Sequence, residues 1–115
     1  MTARVHVAGA LTPFKHLAQL IEDNRIRVIP IIDRQGMPIG VVSESDLQLD
    51  GEDRARTDHV TASDLMTSPA ITVPNGAPVT DALRIMDQRN LSRLVVVDER
   101  GRIAGIVSRG DLLRP

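Results

Sequence analysis

Apolar residues along the chain fall into short blocks whose period changes in a regular order. In "PFKHLAQLIEDN", Phe14, Leu17, Ala18 and Ile21 recur at steps of three and four residues, the spacing of one helix face. Thr12 is placed as the N-cap of that helix, with Pro13 in its first turn. Two β-branched runs follow, "RVIPIID" and "PIGVVS". Between them "DRQG" is an Asp-x-x-Gly turn that closes a hairpin. "SESDL" then opens a short helix. The same grammar returns later: "PVTDALRIMDQRN" puts Val79, Ala82, Leu83 and Met86 on a helical face, "RLVVVD" and "IAGIVS" flank the turn "DERG", and "SRGDL" opens another short helix. Strand candidates "RVHVA" and "AITV" precede the two long helices. The predicted order is β-α-β-β-α, twice.

The two series are copies of each other. Asp33 recurs as Asp98, an offset of 65 residues, and the same offset pairs Pro13 with Pro78, Gly36 with Gly101, Gly40 with Gly105, Ser43 with Ser108 and Asp46 with Asp111. A unit of about 50 residues with one amphipathic helix buries too little surface to stand alone. Two such units packed sheet to sheet share a continuous aliphatic face, with a cleft between them in two pseudo-symmetric versions. The reading is an α/β (α+β) fold, with a first repeat at 1–49, a polar aperiodic linker at 50–59 and a second repeat at 60–115. Met66 and Met86 are assigned to the core.

Composition narrows the chemistry. An apolar fraction of 42% over 115 residues supports a packed core, and a net charge of −1 offers no field to gather nucleic acid or acidic lipid. Phe14 is the sole aromatic residue among Phe, Trp and Tyr, which argues against a stacking platform for single-stranded nucleic acid. The absence of Cys removes disulfides, thiolate nucleophiles and Cys-based zinc sites. No apolar run approaches a membrane span, and "MTARVHVAGA" lacks a signal-peptide core, so a cytoplasmic location is expected. His6, His16 and His59 share no ligand spacing, so no metal site is expected. No nucleophile stands with a base and no Gly-rich phosphate loop is present, which points away from an enzyme.

The duplicated Ser-x-x-Asp phrase admits two roles. Ser43 with Asp46, and Ser108 with Asp111, have the spacing of a capping box at a strand-to-helix junction. An ionised carboxylate there can also take the vicinal hydroxyls of a sugar in charge-assisted hydrogen bonds.

Taken together, "SRLVVVDERGRIAGIVSRGDLL", "TASDLMTSPAITVPNGAPVTDALRIM" and "TPFKHLAQLIEDNRIRVIPIIDRQGMPIGVVSESDL" resemble the cystathionine-β-synthase (CBS) domain, duplicated as in a Bateman module. The resemblance implies a regulatory, non-catalytic pair that senses AMP, ADP, ATP or S-adenosylmethionine in the cleft between repeats and requires no cofactor. It also implies a homodimer that regulates a partner protein or fused domain, without nucleic acid or membrane. By the same resemblance Asp111 and Asp46 meet the ribose, and Ser108, Ser43, Arg93 and Arg109 meet ribose or phosphate. Ser68, Pro69, Ala70 and Ile71 line the adenine pocket. The counterpart of Arg93 is Val28, so the two clefts are not equivalent. The lead-in "SDLMT" has no counterpart before Val5, which leaves one cleft expected to be open or empty. The alternative is a structural homodimerisation module with no nucleotide.

Overall fold

The computed structural model describes residues 5–47 and 59–113. Most of the expected linker, 50–58, therefore lies outside the described residues. Backbone contacts divide the described residues into two compact units, His6–Ala70 and, with Val5, the residues from Ile71 onward.

The first unit contains β1 (Ala8–Gly9), α1 (Phe14–Asn24), β2 (Val28–Ile32), β3 (Pro38–Ser43), a 3-10 helix (Glu44–Leu47) and α2 (Ala62–Leu65). The second contains β4 (Thr72–Pro74), α3 (Val79–Arg89), β5 (Arg93–Val97), β6 (Ile103–Ser108) and α4 (Arg109–Leu113). Each holds a three-stranded sheet in chain order, with the first pair parallel and the second antiparallel. The β-α-β-β-α order is thus present in the second copy, and in the first with a 3-10 helix in place of the last α-helix. A helix must intervene between the parallel strands, because such a pair needs a crossover rather than a tight turn.

The hairpins close as the sequence predicts, and the acid does the closing. Asp33 Oδ1 accepts the N–H groups of Gln35 and Met37, both at 2.9 Å. Asp98 Oδ1 accepts those of Arg100 at 2.8 Å and Arg102 at 3.0 Å. Gly36 and Gly101 take φ of 82° and 80°, a left-handed conformation that strains any residue with a Cβ.

The helix starts differ from expectation. Pro13, not Thr12, is the N-cap of α1, and its carbonyl accepts the N–H of Leu17 at 3.2 Å. Thr12 Oγ1 instead accepts the N–H of Gly9 at 3.1 Å, tightening the turn out of β1. Both long helices end in the left-handed region, at Arg25 (φ 53°) and Asn90 (φ 54°), so that the next N–H can return to a helix carbonyl.

The two cores are filled differently at equivalent positions. In α1 the fully buried residue is Leu17, whose repeat partner in α3 is the small Ala82. In α3 the fully buried residue is Met86, whose partner in α1 is the half-buried Ile21. Leu17 packs with Ile29, Ile31 and Val42, and Met86 with Leu94, Val96 and Val107. The large fully buried side chain of the long helix thus comes one turn later in the second repeat than in the first.

The segment before β4 belongs by contact to the first unit, although the sequence repeat counts it in the second. Ala62 lies in the first core, with Leu65 and Met66 packed against it. Ala62 N–H donates to the Thr12 carbonyl at 2.9 Å and Ser63 N–H to that of Ala10 at 2.8 Å. Val41 and Thr67 exchange two backbone hydrogen bonds at 3.0 and 2.9 Å, which covers the outer edge of β3.

This crossing explains Gly40. A Cβ there would stand 2.6 Å from Met66 Sδ and 3.0 Å from the Thr67 carbonyl oxygen. The methionine can swing aside but the backbone oxygen cannot move without loosening the Val41–Thr67 pair. Gly40→Ala is expected to destabilise the fold by about 1–3 kcal/mol, the usual range for overpacking, read as a lower urea midpoint. An unchanged midpoint would mean that the crossing yields freely.

Candidate functional site

The duplicated Ser-x-x-Asp phrase lies at a corresponding end of each sheet. In the second repeat Arg93, the first residue of β5, stands directly opposite Ser108, the last residue of β6. Paired residues in an antiparallel ladder project to the same face, so the register brings this arginine to the serine. Arg93 is half-buried and its Nη1 reaches Ser92 Oγ at 3.4 Å. Ser108 leads into α4, where two reciprocal bonds form: Ser108 N–H donates to Asp111 Oδ2, and Asp111 N–H donates to Ser108 Oγ, both at 3.1 Å. The phrase is therefore a capping box in this copy, and it holds the Asp111 carboxylate beside Ser108. Asp111 also lines a cavity of about 230 Å³ with Val73, Ala77, Val107 and Asn75.

The first repeat builds the same turn differently. Asp46 Oδ2 accepts both the N–H of Ser43 at 2.7 Å and its hydroxyl at 2.9 Å, and Ser43 Oγ also meets Ser45 Oγ at 2.9 Å. The Ser43 hydroxyl is thus drawn onto the carboxylate, and the following residues form a 3-10 helix instead of an α-helix. Opposite Ser43 stands Val28, which supplies no charge. The nearest cation in sequence, Arg27, sits one residue earlier, and successive residues of an extended chain point to opposite faces.

Arg109 is held away from solvent freedom by Asp87 of α3, with Nη2 2.6 Å from Oδ1. The side chains are 42% and 61% exposed, so screening limits this pair to a modest stabilisation. The partner lies 22 residues away in sequence, and no local pattern announces it. Of the four residues expected at an adenine pocket, Ser68 and Pro69 are exposed and Ala70 half-buried in the first unit. Ile71 packs against the second core, so the four residues span the point where the chain passes from one unit to the other. The structure thus sets Arg93 opposite Ser108 in the ladder, bonds Ser108 to Asp111, pairs Arg109 with α3, and repeats the turn at Ser43–Asp46 with Val28 opposite.

No group of three or more His, Cys, Asp or Glu among the described residues could hold a metal ion. No described helix is long and apolar enough to cross a membrane.

The sequence model of the CBS domain matches residues 1–48 and 62–114. The chain belongs to the CBS domain family. Among curated relatives, an uncharacterised protein of Methanopyrus kandleri is 31% identical over 99 residues, covering 85% of this chain and 50% of that protein. A second, from Methanocaldococcus jannaschii, is 30% identical over 102 residues, and the match covers 87% of this CBS chain and 32% of the relative. This CBS chain therefore spans half or less of the length of these two relatives. Among solved structures, the CBS-pair protein CBSX2 of Arabidopsis thaliana superposes with a TM-score of 0.85 at 29% identity, over 99% of this chain and 88% of that one. CBSX2 in complex with AMP gives 0.82 at 30% identity, over 96% and 86%. The CBS pair of protein MJ0100, in complex with 5'-methylthioadenosine and S-adenosylmethionine, gives 0.79 at 25% identity, over 95% and 85%. Two CBS repeats in tandem are what the family match and these neighbours show.

Proposed function

We propose that this CBS pair is a non-catalytic regulatory module that binds an adenosine-containing nucleotide through its second repeat. The observation that carries the reading is the register of β5 and β6, which sets Arg93 opposite Ser108 beside the carboxylate of Asp111. A guanidinium for phosphate and a carboxylate for ribose hydroxyls are the two charges that a nucleoside monophosphate asks for. In the first repeat Val28 occupies the place of Arg93, and the Ser43 hydroxyl is drawn onto Asp46. Ser43 and Asp46 there are read as a weaker nucleoside contact, and Ser68, Pro69, Ala70 and Ile71 as the adenine-facing segment. Arg109, paired with Asp87, serves α4 rather than the ligand. The AMP and S-adenosylmethionine complexes of the neighbours support the ligand class. Because the relatives are longer, the module is further read as the sensing part of a cytoplasmic homodimer that acts on a partner protein or an attached domain.

Titration calorimetry with AMP tests the reading, and Arg93→Ala separates its two halves. AMP binding should weaken by about tenfold, the worth of one charge-assisted contact, while 5'-methylthioadenosine, which has no phosphate, should bind as before. Equal loss for both ligands would show that Arg93 acts through the fold. An absence of heat and of any melting shift across AMP, ADP, ATP and S-adenosylmethionine would favour a dimerisation module instead.

A further inference from the structure

The chain has three asparagines, Asn24, Asn75 and Asn90, and the structure treats one of them differently. Asn24 and Asn90 sit at helix ends, and the N–H after each is held: Arg25 N–H caps α1 on the Ile21 carbonyl, and Leu91 N–H donates to the Met86 carbonyl at 2.8 Å. Both are also followed by a bulky residue. Asn75 is followed by Gly76 in an exposed turn, Pro74–Ala77, closed by Ala77 N–H to the Pro74 carbonyl at 3.0 Å. Gly76 has φ of 102°, the value required at the third position of a type II turn. In that turn the central N–H faces outward, and among the described residues Gly76 N–H donates no hydrogen bond. A Cβ built on Gly76 would meet nothing within 4 Å. Among the described residues the Asn75 side-chain amide likewise has no hydrogen-bond partner that would hold it away.

We propose that Asn75–Gly76 is a site of spontaneous deamidation in the folded protein. The Gly76 backbone nitrogen, giving its proton to a solvent base, attacks Cγ of Asn75. A carbon–nitrogen bond forms to close a five-membered imide, and the bond to the side-chain nitrogen breaks, releasing it as ammonia once it is protonated. Water then opens the imide at either carbonyl, leaving aspartate or isoaspartate at position 75. Water is the only co-reactant, and nothing is oxidised or reduced. The product carries a new carboxylate on the wall of the cavity that Asp111 also lines, and moves the net charge from −1 to −2.

The test is a peptide mass map of the native protein after warm incubation at mildly alkaline pH, alongside the same chain unfolded in urea. The peptide containing Asn75 should gain the mass of an amide-to-acid exchange at least severalfold faster than those containing Asn24 or Asn90. The intact protein should also gain an acidic band on isoelectric focusing. Asn75→Gln should lack both changes, and Gly76→Ala, where the nitrogen is hindered, should slow them severalfold. Isomerisation of Asp50 beside Gly51 would leave the mass unchanged, so it cannot imitate the result. Asn75 that stays intact in the native protein while the unfolded chain converts would overturn the proposal, as would equal conversion at Asn24 or Asn90.

Discussion

Replacing Asp111 with Ala is expected to weaken AMP binding by about 10- to 100-fold in titration calorimetry, the loss of one charge-assisted hydrogen bond at about 1.5–3 kcal/mol. The substitution also removes half of the capping box with Ser108, so binding and stability have to be read separately. Asp111→Asn does this. An amide oxygen can still accept the Ser108 N–H, which keeps the turn, but the negative charge is gone. The melting temperature without ligand should stay close to native while AMP affinity falls. Native affinity in the Asn variant would assign Asp111 to capping alone. Asp46→Asn supplies the contrast. Its carboxylate already serves both donors of Ser43, and Val28 stands opposite that serine where the second repeat has Arg93, so the effect on AMP should be smaller.

Met86→Ala carries the largest expected cost in stability, about 2–5 kcal/mol, as for other fully buried large-to-small changes. Met86 is fully buried, and its repeat partner Ile21 is not, so the burden of holding the long helix to its sheet falls on different turns in the two repeats. The neighbouring Ala82 occupies the position where the first repeat carries Leu17. Restoring bulk there, as Met86→Ala with Ala82→Leu, should recover part of the loss, because total core volume matters more than which residue provides it. Urea unfolding of the single and double variants measures both effects. A single-variant loss below about 1 kcal/mol would show that the second core can collapse around the missing side chain.

Much of this architecture is written locally. The 65-residue offset, the Asp-x-x-Gly hairpins and the two amphipathic helices can be read because each is set by residues within a few positions of one another. The hairpin turns come out as expected since Asp33 and Asp98 accept N–H groups two and four residues on. The Ser-x-x-Asp phrase was legible as a junction, but its two copies differ in which group the serine hydroxyl serves, a choice of geometry that the shared letters do not encode. What escapes the sequence is tertiary. Nothing near Arg109 points to Asp87, and nothing periodic in "TASDLMT" says that Ala62 and Met66 complete the other repeat's core. Thr12 misled for a related reason: its hydroxyl turned back to Gly9, and the adjacent proline took the helix start.

The Val41–Thr67 pairing and the burial of Ala62 bear on how this gene can be cut. A break in the polar stretch near 50–59, where a sequence-minded engineer would place it, separates the first sheet from the segment that closes its edge and floor. The sequence repeat and the compact unit of contacts are offset by about ten residues. A half-protein for split-reporter or domain-swap use is better ended after Ala70 than before His59. Inheritance and folding have divided this chain at different points.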